Sequence, residues 1–211
     1  IIESVEERDF AQNLIYYIAK GYQVPDFGIW ERGNKINNGT RELHASSIGM
    51  VKSALVAMHS TPFYMLDSEI PHYFYVNDDE IARCRMTLDQ LLPRESLSKE
   101  VDAACLSIIG FPAFAVESEA LLDKTAHKIR RSLLGPYGCK RFLLDGHQTP
   151  LEDKHRLHYN AQELKNFEDI ECEWPLFLTY EYVTALLRAQ PTVAQDYKRR
   201  IESTLVMQEG Y

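Results

Sequence analysis

Apolar residues recur every three to four positions in several stretches of this chain, and glycine, proline or a small polar residue closes each stretch. Over residues 6–20, Phe10, Leu14, Tyr17 and Ile18 predict one inward helical face, with Gly21 and Pro25 as the stop. A second helix is predicted over 42–58, with Leu43, Met50 or Val51, Ala54, Leu55 and Met58 inward. Its small residues Ala45, Ser46, Ser47 and Gly49 leave room for a neighbour to come close. Asp78 is read as the cap of a helix running to Leu92, with Ile81, Cys84, Leu88 and Leu91 in period and Pro93 as the end. Ser98 is read as the cap of a helix over 99–109 that turns Val101, Ala104, Cys105 and Ile108 inward. Ser118 precedes a helix over 119–134 built on Leu121, Leu122, Thr125, Ile129 and Leu133. Asn160 caps a short helix to Phe167, Pro175 opens one over 176–190, and Pro191 opens one over 193–207.

The intervening segments differ in kind. Residues 22–40 are rich in Gly and Asn and too long for a plain connector, which marks a functional loop. Residues 60–77, with Pro62, Pro71 and Tyr73-Phe74-Tyr75, read as irregular with one short extended piece. Residues 137–144 look extended ahead of the Asp145-Gly146 turn. The count is about seven or eight helices and almost no strand, an all-α fold of helical hairpins in one domain spanning 1–211. Without a fixed repeat of about 34 or 40 residues, a closed helical array is favoured over a solenoid.

Composition narrows the function. At 211 residues and 45% hydrophobic, the chain supports one substantial core. A net charge of −8 argues against nucleic acid as a partner, because that surface repels a polyanion. Cys84, Cys105, Cys139 and Cys172 are widely spaced, so reduced thiols in a cytoplasmic setting are expected, with neither zinc nor a disulfide framework. There is no long apolar run and no basic leader. The chain starts without Met and reads as a fragment of a longer one.

The loop Asp26-Phe27-Gly28-Ile29-Trp30-Glu31-Arg32-Gly33 carries the sharpest candidate chemistry. An indole holds a sugar ring, and a carboxyl beside it, with its pKa raised by burial, delivers a proton. Equally, Trp30 plugs a core and Glu31 pairs with Arg32 or Arg41. Glu171-Cys172-Glu173-Trp174-Pro175 repeats a carboxylate beside Trp at a helix entrance, where the dipole favours acidic residues whatever the function. Arg141 and Lys140 are placed to bond sugar hydroxyls or to face solvent. His155 and His158, with Glu152 and Asp153, read as solvated side chains, and no metal is predicted. Lys198-Arg199-Arg200 reads as a solvated face. No phosphate loop, Ser-His-Asp set or kinase signature is present, and no cofactor is predicted.

Five segments carry a resemblance: DFGIWERGNKINNGTRELHASSIGM (26–50), LLPRESLSKEVD (91–102), IGFPAFAV (109–116), GPYGCKRFLLDGHQTP (135–150) and LHYNAQELKNFEDIECEWPL (157–176). Together they resemble the large regulatory subunits, alpha and beta, of phosphorylase kinase. Features of both types are mixed, so the resemblance does not choose between them. That region is in turn similar to family 15 glycoside hydrolases, the glucoamylases, which implies part of a six-fold α/α barrel. The family's general acid maps onto Glu31 and its sugar contacts onto Trp30, Arg141 and Trp174, with Glu171 and Glu173 beside them as further candidates. Arg32 stands where the pattern often has a second Glu. The resemblance places the catalytic base beyond Tyr211. It also implies a regulatory, scaffolding role in glycogen breakdown, with the kinase catalytic subunit, calmodulin and the other large regulatory subunit as partners and an oligoglucan as ligand. Peripheral membrane attachment of the full-length protein would use other regions. The alternative it carries is an active inverting hydrolase with Glu31 as acid. Such an enzyme needs a second carboxylate about 6.5–9.5 Å away to activate water.

Overall fold

The computed structural model describes residues 1–30, 40–66, 68–156 and 158–205. Helix α1 (Val5–Gly21) starts where the Ser4 hydroxyl accepts the Glu7 N–H, with Glu6 and Glu7 in the first turn and Lys20 in the last, as the helix dipole favours. The face it buries is not the one predicted. Ile15 and Ala19 are inside, while Phe10 and Tyr17 are 65% and 77% exposed and Leu14 is also exposed. Tertiary bonds set that rotation. The Gln12 amide exchanges two hydrogen bonds with the backbone of Tyr75, and Lys20 reaches the buried Glu80 carboxylate at 2.7 Å. The helix has apolar residues on two sides, and periodicity alone picks the wrong one.

Helix α2 (Ala45–Ser60) packs along α3 (Asp78–Leu91), and α1 lies against α2. The cap of α3 is Asn77, one residue before the expected Asp78. Leu43, expected inside, is exposed ahead of α2, whose buried face is Ala45, Ser46, Ile48, Gly49, Lys52 and Leu55. The small-residue reading holds. A Cβ on Gly49 would lie 2.5 Å from Ile108 Cγ2, so only glycine admits that neighbour. Lys52 enters the core stem first, and its ammonium donates to Ala115 O at 2.6 Å and to the Glu117 carboxylate. The 60–77 connection contains a two-stranded antiparallel pair, β1 (Phe63–Tyr64) with β2 (Pro71–His72).

The helix predicted over 99–109 starts late. Residues 95–99 form a tight turn, with the N–H groups of Glu95 and Ser96 both on the Lys99 carbonyl. Asp102 bridges to Phe142, and its side chain caps a 3₁₀ turn (Ala103–Cys105) that runs into the short α4 (Leu106–Ile109). Helix α5 (Glu119–Leu133) begins at Ser118 as expected and buries Leu122, Thr125, Ile129 and Leu133.

The extended 137–144 segment becomes β3 (Cys139–Lys140), paired antiparallel with β4 (Glu173–Trp174), so that Cys139 faces Trp174 and Lys140 faces Glu173. Between them, α6 (Ala161–Leu164) starts on a full capping box, Asn160 with Glu163. Helices α7 (Leu176–Leu187) and α8 (Pro191–Thr204) form a hairpin. Pro175 caps α7 and Pro191 is its partner's first residue. A bidentate Arg130–Glu181 pair, at 2.8 and 2.9 Å, ties α5 to α7.

The main core joins Ile48, Cys84, Leu88, Ile108, Ile129, Leu133 and Phe177, and a satellite of Ile15, Ala19, Leu55 and Val76 sits under α1. The eight α-helices among the described residues make the chain all-α. No helix among those residues is long and apolar enough to cross a membrane.

Candidate functional site

Residues 22–30 are held by two sets of tertiary bonds. The Tyr22 hydroxyl donates to Glu80 at 2.8 Å, and Asp26 and Glu42 exchange two backbone bonds of 2.9 Å. The Asp26 carboxylate then organises the turn, accepting from Gly28 N and Ser47 Oγ at 2.8 Å and meeting His44 Nδ1 at 2.8 Å. Gly28 has φ 81°, and a Cβ there would be 2.9 Å from His44 Cδ2, so both its conformation and its contact require glycine. The consequence is that Trp30 is delivered inward. Its ring edge meets Phe177 at 5.7 Å and 81°, and its indole N–H donates to both Asp102 oxygens at 3.1 Å. Glu31 and Arg32, with the rest of 31–39, lie outside the described residues.

Arg141 is the hub. Its Nε and Nη2 donate to Asp145 at 2.6 and 2.7 Å, and its guanidinium lies 5.1 Å from the Trp30 ring, 5.6 Å from Phe142 and 5.7 Å from Trp174. Arg141 and Asp145 are both buried. Cation–π contact with three rings holds the guanidinium plane, and Nη1 is the end not committed to Asp145. Trp174 is stacked on His147 at 5.9 Å with the planes 2° apart, and its buried indole N–H has no hydrogen-bond partner among the described residues. The structure therefore brings together three of the sequence candidates, Trp30, Arg141 and Trp174, from positions up to 144 residues apart in the chain.

The two other carboxylates frame that cluster. Glu171 is buried and accepts from Lys140 Nζ at 2.7 Å and from Leu144 N at 2.8 Å, where Leu144 has φ 63°. Glu173 accepts from Tyr137 N at 2.7 Å and occupies the space a Cβ on Gly135 would need. Both hold the hairpin that presents Arg141 and Trp174.

Beneath Trp30 lies a charged layer that the sequence reading missed. Asp102, Lys99 and Glu95 are all buried, with Lys99 Nζ 3.8 Å from Asp102 Oδ2 and without a hydrogen-bond partner among the described residues. Glu95 accepts from Ser46 N at 3.1 Å, from the Ser46 hydroxyl and from the Cys105 thiol at 3.1 Å. Burial, reinforced by Glu95, pushes the Asp102 carboxyl up to about 7, and burial raises Glu95 as well. The signal in the sequence was the Lys99-x-x-Asp102 spacing, a pair three residues apart that is compatible with helix and turn alike. The Arg141–Asp145 pairing was likewise visible only as a spacing of four.

Elsewhere the sequence candidates are peripheral. His155 and His158 are exposed, and Lys198, Arg199 and Arg200 lie on the exposed side of α8. Arg199 bonds Asp196 at 2.6 Å. Among the described residues no group of His, Cys, Asp and Glu is arranged to hold a metal.

Residues 1–207 match the sequence model of glycosyl hydrolases family 15. The chain is 49% identical over 209 residues to the probable phosphorylase b kinase regulatory subunit alpha of Caenorhabditis elegans, covering 99% of this chain and 17% of that protein. It is 48% identical over 206 residues to phosphorylase b kinase regulatory subunit alpha, skeletal muscle isoform, of Oryctolagus cuniculus, covering 98% of this chain and 17% of that one. With the probable regulatory subunit alpha of Drosophila melanogaster the identity is 46% over 209 residues, again 99% and 17%. The resemblance read from sequence stands, and these relatives are of the alpha type.

Proposed function

The chain belongs to glycosyl hydrolases family 15, and from that premise we propose that it is the sugar-binding part of a phosphorylase kinase regulatory subunit, controlling glycogen breakdown by engaging oligoglucan. In this reading the partners are the kinase catalytic subunit, calmodulin and the other large regulatory subunit. The relatives' name supports the regulatory role, though the chain spans only 17% of their length. The observation that supports sugar binding is the Trp30–Arg141–Trp174 cluster, with ring distances of 5.1 and 5.7 Å about one guanidinium. Aromatic faces bind the apolar faces of a pyranose, and an immobilised guanidinium donates to its hydroxyls without losing rotamer freedom on binding. Glu171 and Glu173 serve this site by holding the hairpin behind it.

The test is maltoheptaose binding by the intact protein, followed calorimetrically. Trp30→Ala should weaken it by about tenfold or more, the worth of an aromatic contact in a binding site. Unchanged affinity, or no binding by the unmodified protein, refutes the reading.

The second reading, an inverting hydrolase, is favoured by Trp30 followed directly by Glu31 in a family described as hydrolases. It requires release of β-glucose from maltoheptaose, abolished by Glu31→Gln.

A further inference from the structure

We propose that Asp102 is the positioning residue for Trp30, and that its carboxylate, held between Glu95 and Lys99, makes the pocket's hold on glucan depend on pH. The inference rests on the sugar-binding reading above. Asp26 anchors the backbone four residues before Trp30, Phe177 and Arg141 pack against the ring, and the indole N–H adds the directional bond that sets its orientation. That N–H is shared between both Asp102 oxygens at equal distances of 3.1 Å, a geometry a carboxylate offers and a protonated acid does not. Asp102 is 1% exposed and, among the described residues, has one further donor, Ala104 N at 2.8 Å.

The charged neighbours come from every side. Glu95 and Lys99 act on Asp102 from the 95–99 turn and the Cys105 thiol lies beside it in the 3₁₀ turn, while Arg141 packs on the Trp30 ring and His44 acts on Glu95 from the start of α2. Two buried carboxyls therefore face one nearby ammonium, and the pair retains a proton well above the usual carboxylate range. Lys99 is fixed by its 5.3 Å contact with the Phe142 ring and by burial, so it stays close to whichever carboxyl is ionised. At higher pH Asp102 is a carboxylate and grips the indole with a charge-assisted bond. As it takes up a proton, that bond falls to neutral strength and Trp30 is released from its set orientation.

The experiment uses the intact protein labelled with 5-fluorotryptophan, the Trp30 resonance being the one lost in Trp30→Phe. Between about pH 5.5 and about pH 8.5 the resonance should titrate with a midpoint near 7, and maltotriose affinity should be about fivefold weaker at the acidic end. Asp102→Asn keeps an acceptor under the indole but cannot titrate, so both profiles should become flat. A static Trp30 resonance in the unmodified protein, or one that still titrates in Asp102→Asn, overturns the proposal. Should Asp102→Asn fail to fold, Glu95→Gln removes the neighbouring negative charge and must lower the midpoint. An unmoved midpoint overturns the proposal equally. A resonance that titrates as expected in a protein that binds no maltotriose at any pH upholds the Asp102–Trp30 coupling and refutes the sugar-binding reading.

Discussion

Asp145 meets the buried Arg141 guanidinium with both oxygens, and the Trp30, Phe142 and Trp174 rings pack around it. Removing one partner of such a pair leaves the other ion buried and uncompensated. Asp145→Ala is therefore expected to destabilise the protein by about 3–5 kcal/mol, read as a lower urea midpoint. Asp102 makes the opposite kind of contribution. Its carboxyl, near 3.9 in the unfolded chain, is pushed up to about 7 in the folded state. Between about pH 4 and pH 7 the folded protein thus binds more protons than the unfolded chain, and stability falls as pH rises through that window. The measurement is the melting temperature across it. Asp102→Asn should lose this part of the decline while the contribution of the other acids persists. Residue identity made Trp30, Glu31, Arg141 and Trp174 visible as candidates, but Asp102 and Lys99 were hidden, because their role exists only once Trp30 arrives from 72 residues away.

Helix boundaries were legible where the cap lies within four residues of what it caps. Ser118 before α5 and Asn160 with Glu163 before α6 satisfy orphan N–H groups locally, so local sequence specifies them. Asn160→Ala should cost about 1 kcal/mol, measured by urea unfolding. Residues 99–109 resisted the same logic. There the Ala103 N–H goes to Arg141 O at 2.7 Å, a long-range partner that delays the helix to the 3₁₀ turn capped by Asp102. The α2 glycine belongs to this scale too, since it sets how closely one element approaches another. Gly49→Ala forces a methyl against Ile108 and should lose about 1–3 kcal/mol, with the urea midpoint as the readout.

Across the whole molecule, α1 carries apolar residues on two sides, and only one of them faces the core. Phe10 and Tyr17 are exposed on α1, and Tyr73 and Tyr75 are exposed in the 60–77 connection, so several large aromatic side chains meet solvent. Produced alone, this 211-residue stretch is expected to self-associate, and Phe10→Gln with Tyr17→Gln should weaken that association in sedimentation velocity. The melting temperature should hardly change, because exposed side chains contribute within about 0.5 kcal/mol. The sequence by itself determined the all-α class, most helices and caps, and the family, because periodicity, capping and motif are properties of neighbouring residues. Tertiary structure decided which face of α1 is buried, where the 99–109 helix begins, and that Asp102 lies under Trp30. Each of those outcomes is selected by partners distant in the chain, whose approach no local pattern encodes.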